Sequence, residues 1–209
     1  MGGKSSTIFE GKRILLLASH PDDLELGCGG TLWKLRKEIL QINIMTDALN
    51  YPGNDTILSD LKNSMSFYGI ENYHVEDFTN MALDLEGTSL RQLLYNIKES
   101  FKPDVVFSTS PKAFNQDHRE LGLAVLAVFQ EQTVLFYEDL RGGQLFNPQV
   151  YVRLSSDEFM AKLKALTFYE SQKTRYYFMP DAVSSMAQFR GSQIFCPYAE
   201  SFEVLRLVL

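Results

Sequence analysis

The segment Ala18-Ser-His-Pro-Asp-Asp-Leu-Glu-Leu-Gly-Cys-Gly-Gly-Thr31 sets one histidine and three acids, His20, Asp22, Asp23 and Glu25, just after an apolar run. Acids crowded this closely repel one another and are costly to desolvate, so something nearby must compensate them. A divalent cation would do so, because imidazole nitrogen and carboxylate oxygen are donor types that zinc takes. His20 and Asp23 are separated by two residues in a turn stiffened by Pro21, which lets both aim at one point. Asp22, between them, faces another way and suits a base beside the ion. A catalytic tetrahedral site needs a third protein ligand and leaves the fourth position to water. Of the 3 histidines, His118 follows the apolar run "DVVFSTS" and is the expected third ligand. His74 lies in a different strand, too far away. Asp117 reads as the N-cap of a helix starting at His118, or as support for that histidine. Such a set of two nitrogens and one carboxylate suits Zn2+ and leaves Fe2+ open.

The elements that must position these groups follow from periodicity. Strands are expected over Arg13–Ser19, Gln41–Thr46, "NYHVEDF", Asp104–Ser110 and "TVLFYE". Helices are expected over Gly30–Ile39, Thr56–Tyr68, Ser89–Phe101 and His118–Gln130, the second ending at Gly69 and the third before Pro103. This alternation predicts an α/β, Rossmann-like, mostly parallel sheet of order 3-2-1-4-5 with helices on both faces. Beyond Asn147 the pattern is less regular: "QVYVRL" as a strand, Asp157–Ser171 as a helix and "ESFEVLRLV" as a last strand are C-terminal additions to the sheet. Ligands of such sheets bind beyond the carboxyl ends of the strands, where the winding reverses. Strands one and four meet there, and "HPDD" and "STSPKAFNQDHRE" are the peptides that follow them. The glycines of "GCGG" lack the full dinucleotide-binding spacing, and the acids ahead would repel a pyrophosphate. They read as a tight turn and close helix packing, with Cys28 an ordinary packed residue. Tyr176, Tyr177, Phe178 and Phe189 read as core or a subunit face.

Composition bounds the rest. The 209 residues, 45% hydrophobic and 22% charged, suit one globular domain spanning 1–209, with 1–12 a flexible leader. A net charge of −6 with no basic stripe argues against a nucleic-acid partner. No apolar run is long enough for an integral membrane segment. Two cysteines, Cys28 and Cys196, cannot build a disulfide framework and fit a reducing, cytoplasmic setting.

"HPDDLELGCGGTL", together with "NQDHRELG" and "YAESFEV", resembles the PIG-L/LmbE-like family of zinc-dependent de-N-acetylases. The resemblance implies a hydrolase that removes the acetyl group from an N-acetylglucosamine unit or its conjugate, a small amino-sugar partner, and a homo-oligomer. By motif position it implies His20, Asp23 and His118 as the metal ligands and Asp22 as general base, also returning the proton to the leaving amine. Two departures stand out. Asn115 occupies the place where many relatives carry an oxyanion-binding histidine; it can donate a hydrogen bond but cannot shuttle a proton. The second helix, "TILSDLKN", has no arginine where relatives often place one near substrate. Tyr51 and Asn54, in the loop after strand two, are candidate sugar contacts. Arg119 is another, against the plainer reading of a solvated arginine. Three alternatives stay open: a non-catalytic zinc-bearing module, amide cleavage in a thiol conjugate, and a receiver-type phosphorylation domain using Asp22, Asp23 and Thr109.

Overall fold

The computed structural model describes residues 8–141 and 145–208. Seven strands form one sheet in the order β3-β2-β1-β4-β5-β7-β6. The first five are β1 (Arg13–Ala18), β2 (Ile39–Ile44), β3 (Tyr73–Val75), β4 (Val105–Ser108) and β5 (Thr133–Tyr137), all mutually parallel. β6 (Val150–Leu154) and β7 (Tyr198–Arg206) extend it, with β7 running antiparallel to both neighbours. The expected order 3-2-1-4-5 and its C-terminal additions are therefore present.

β1 shows why the layers form. Ile14, Leu16 and Ala18 face one side, packing with residues of α1 (Asp23–Leu35), α2 (Ile57–Tyr68), α5 (Ser156–Leu166) and α6 (Pro180–Ser192). Leu15 and Leu17 face the other side, against α3 (Gly87–Phe101) and α4 (Gln116–Val128). Side chains alternate along a strand, so an unbroken apolar run serves two cores at once.

Several boundaries differ from expectation for identifiable reasons. α1 begins at Asp23, not Gly30, and the chain has returned to strand by Ile39. Its first turn carries Asp23 and Glu25, whose charges suit a helix N-terminus. The helix is buried nearly all round, so "DLELGCGG" carries no amphipathic stripe to betray it. At Cys28 it leaves helical geometry (φ −144°). The Glu200 carboxylate, from β7, then accepts the N–H groups of Gly30 and Thr31 at 3.0 and 2.7 Å, and Lys162 balances its charge at 2.6 Å. Close packing does explain Gly27: a Cβ there would lie 2.3 Å from the Tyr137 ring.

α5 ends at Leu166 rather than Ser171, and the chain continues into short 3-10 turns at Glu170–Gln172 and Tyr176–Phe178. α6 was not expected. Its inner face holds little more than Val183 and Ala187, with Arg190 buried beside them in a paired contact with Glu138, too weak a stripe to read. Of the four aromatics, Phe178 is buried while Tyr176 and Phe189 are exposed. The leader expected over 1–12 falls partly on 1–7, outside the described residues. From Ile8 the chain is a turn whose Phe9 is buried, its ring 5.6 Å from that of Phe107.

Candidate metal centre

Three strands, β1, β4 and β5, lie side by side and deliver their following peptides to one end of the sheet. After β1 comes the tight turn 19–22, where the Ser19 and His20 N–H groups donate to Asp23 Oδ2 at 3.0 and 2.8 Å. This closes the turn and leaves Asp23 Oδ1 free of those bonds. After β4 the chain enters α4, whose N-cap is Asn115: its Oδ1 accepts from the N–H groups of Asp117 and His118 at 2.9 and 3.3 Å. The cap is thus Asn115 rather than Asp117, and His118 sits in the first turn. After β5 come Glu138 and Asp139.

His20, Asp23 and His118 converge, each offering one ligand atom, all within 4.8 Å of one another. His20 Nδ1 lies 3.2 Å from His118 Nε2, Asp23 Oδ1 is 3.1 Å from His118 Nε2, and Asp23 Oδ2 is 3.5 Å from His20 Nδ1. Ligands about 2.0–2.1 Å from a tetrahedral ion are separated by about 3.3–3.4 Å, so these spacings match the edges of such a polyhedron. The opposite ring nitrogens face carboxylates. His20 Nε2 is 3.1 Å from Asp117 Oδ2, and His118 Nδ1 is 3.4 Å from Asp139 Oδ2, with neither of that second pair having another partner among the described residues. A carboxylate behind each ring holds the N–H on the far side and turns a lone pair inward, as metal-binding histidines require. The residues fit a divalent cation.

The electrostatics agree. Burial works against a charged His20, yet the Asp23 charge and hydrogen bonds to Asp117 and Asp23 raise it to about 10. His118, likewise buried, is raised to about 9 by Asp23 and Asp139. Asp23 is held far below the usual carboxylate range, because His118 and His20 outweigh its burial. Asp22 moves the other way: burial and the charge of Asp23 raise its carboxyl, with His20 and Arg175 opposing. Glu25 turns toward Ser64 and Tyr169, whose hydroxyls donate to its Oε1, and burial raises its carboxyl to about 7.

The centre opens into a cavity of about 230 Å³ whose lining includes Asp22, Tyr51, Asn54, Asn115, Gln172 and Arg175. Asn115 Oδ1 is spent on the helix cap, so its Nδ2 is the group left for the cavity. Tyr51 carries the Arg175 guanidinium over its ring at 5.2 Å. α2 brings no arginine to the cavity; Arg175, from the segment between α5 and α6, does. Arg119 is exposed, donates at 3.3 Å to the Ala113 carbonyl and does not line the cavity, against the expectation of a substrate contact. Asp117 supports His20 rather than His118. His74 is exposed on β3, away from the cluster. Thr109, which a receiver-type domain would need, is buried and donates to the His118 carbonyl at 2.8 Å.

Asp139, Gln172 and Arg175 line the cavity and escaped the sequence reading. Asp139 was legible in principle, as an acid two residues beyond the strand next to β4. Gln172 sits in an irregular segment where no spacing announces it.

Residues 15–129 match the PIG-L family, described as GlcNAc-PI de-N-acetylase. An uncharacterized deacetylase of Escherichia coli (strain K12), YaiS, is 28% identical over 176 residues, covering 77% of this chain and 91% of its own. The N,N'-diacetylchitobiose deacetylase of Pyrococcus horikoshii superimposes with a TM-score of 0.78 at 19% identity, over 94% of this chain and 85% of that one. GalB, the 4-carboxy-2-hydroxymuconate hydratase of Pseudomonas putida KT2440, gives 0.75 at 14% identity, over 95% and 98%. The fold thus serves hydrolysis and hydration alike, and the reaction has to be argued from side chains.

Proposed function

This chain belongs to the PIG-L family, and from that premise we propose that it is a metal-dependent deacetylase acting on an N-acetylated amino sugar or its conjugate. The observation that carries the reading is the meeting of His20, Asp23 and His118 with both outer ring nitrogens turned to carboxylates, beside Asp22 in an open cavity. A divalent ion held by those three residues, Zn2+ by donor type with Fe2+ also compatible, supplies Lewis acidity toward water and the acyl oxygen.

The remaining chemistry falls to the chain itself. Asp22 accepts a proton from the attacking water; burial raises its carboxyl, which brings it nearer to the working pH of a base. The water oxygen bonds to the acetamide carbonyl carbon, and the π electrons move onto the carbonyl oxygen. Asn115 Nδ2 donates to that oxygen, a neutral donor where a histidine would add charge. Reforming the carbonyl breaks the C–N bond, and Asp22 gives its proton to the departing nitrogen. Acetic acid, ionising to acetate, and a free amine result. Arg175 stands near enough to Asp22 to favour its ionised form.

Acetate release from a panel of N-acetylglucosamine conjugates, measured with Zn2+ supplied, tests the reading. Asp22→Asn is expected to keep its metal and lose about 10²–10⁴-fold in turnover. Near wild-type turnover in that variant overturns the base. Metal bound with no acetate from any conjugate overturns the enzyme and favours a zinc-bearing binding module. A cytoplasmic setting, consistent with the free cysteines Cys28 and Cys196, and self-association, testable by light scattering, go with this proposal.

A further inference from the structure

Gln172 occupies the 3-10 turn after α5 and is only 2% exposed, yet it lines the cavity. Its amide orientation is fixed by a relay that starts at a group able only to accept. The Ala48 carbonyl, in the loop after β2, accepts from Asn54 Nδ2 at 3.0 Å. That commits Asn54 Oδ1 to acceptance, and it takes a hydrogen bond from Gln172 Nε2 at 3.0 Å. The second Nε2 hydrogen goes to Ser171 Oγ at 2.8 Å. Both amide hydrogens are thereby used, and Gln172 Oε1 is left buried with no partner among the described residues. A buried acceptor without a donor costs about 1–3 kcal/mol, so such groups call for a reason. Ala48 itself holds a left-handed backbone (φ 56°), a conformation uncommon for a residue bearing a Cβ and found repeatedly at ligand clamps.

We infer that Gln172 determines substrate specificity: its Oε1 accepts a hydrogen bond from a substrate hydroxyl, with Asn54 and Ala48 holding the amide in the accepting orientation. This deepens the deacetylase reading and rests on it. In that reading Asp22 serves the amide nitrogen, so the donor left for Gln172 is a hydroxyl, and the substrate class is a polyhydroxylated N-acetyl amine rather than an apolar one. Asn54 then acts as a positioning residue for Gln172, both of its side-chain polar atoms being already engaged.

The test measures KM and kcat for methyl N-acetyl-glucosaminide and its monodeoxy and deoxyfluoro analogues, on the Zn2+-supplied wild type and on Gln172→Met, which keeps the length and loses the acceptor. Wild type is expected to show about tenfold higher KM for the deoxy and deoxyfluoro forms at one position, since fluorine cannot donate. Gln172→Met is expected to show that tenfold rise with the parent sugar, no further loss at that position, and kcat within about twofold of wild type. An undiminished analogue penalty in Gln172→Met overturns the inference. If that variant does not fold, the wild-type series decides: a loss for the deoxy form that the deoxyfluoro form does not share, or no loss at any position, also overturns it. Acetate release with a flat analogue series leaves the deacetylase reading standing; if the parent sugar is inert, the series is run on a conjugate of the panel that releases acetate, and release from none removes both.

Discussion

Asp22 and Arg175 share a wall of the cavity, and their charges set the acid side of the pH profile. A base works when ionised, so activity should fall as pH drops through the Asp22 pKa. Burial and Asp23 push that pKa up, while His20 and Arg175 push it down. Replacing Arg175 by Met removes one of the opposing charges, and the acid limb of kcat/KM is expected to move to higher pH, with the metal content unchanged. An unmoved limb in a pH–rate series would separate Arg175 from the base. At this scale the sequence carried donor types and spacing well: His20, Asp22 and Asp23 declare themselves within four residues, and His118 follows from the strand order. Asp139 and Gln172 did not declare themselves. Each is a lone polar residue whose role comes from what stands opposite it, Nδ1 of His118 in one case and the Asn54 amide in the other.

α4 connects side chain to scaffold, because the helix that carries His118 in its first turn rests on the peptide following β4. Gly122, one turn further along, marks the contact: a Cβ there would lie 2.4 Å from Pro111 N and 2.7 Å from the Ser110 carbonyl carbon. Both are backbone atoms, so the helix itself must shift. Gly122→Ala is expected to cost about 1–3 kcal/mol, a fall in Tm of about 2–4 °C per kcal/mol, and to weaken metal binding by displacing His118. Leu123→Ala, at a 45% exposed position on the same helix, should leave both nearly as they were. Thermal melts with metal titrations check the pair; equal effects would mean that α4 does not position the ligand. Helices with one apolar stripe, α2 and α3, were readable from periodicity. α1 was misread at its start because burial on nearly every side erases the stripe, and α6 was missed because its inner face is small.

The whole sheet gathers the ligands, since the 20–23 turn and His118 are about a hundred residues apart and meet only through the pairing of β1 with β4. That pairing was legible, as strand alternation and the winding reversal foretold it, and so was β7 as a last strand; its antiparallel direction and the irregular segment that walls the cavity were not. The assembled cluster also couples metal to protons. In the metal-free protein the charge of Asp23 and the carboxylates behind the rings raise His20 and His118 above the usual imidazole range, and a cation must displace the proton held between their facing nitrogens, 3.2 Å apart. Affinity is therefore expected to rise with pH above neutrality, and uptake at pH 7 to release protons, measurable by calorimetry in buffers of different ionisation heat. Uptake without proton release would contradict the raised values. The central claim is that one divalent ion is shared by two imidazoles and one carboxylate drawn from distant parts of the chain. Anomalous diffraction from zinc-soaked crystals tests it most directly. The account predicts a single strong peak in contact with His20 Nδ1, His118 Nε2 and the Asp23 carboxylate; a peak elsewhere, or one bound through the ring nitrogens that face Asp117 and Asp139, would contradict it.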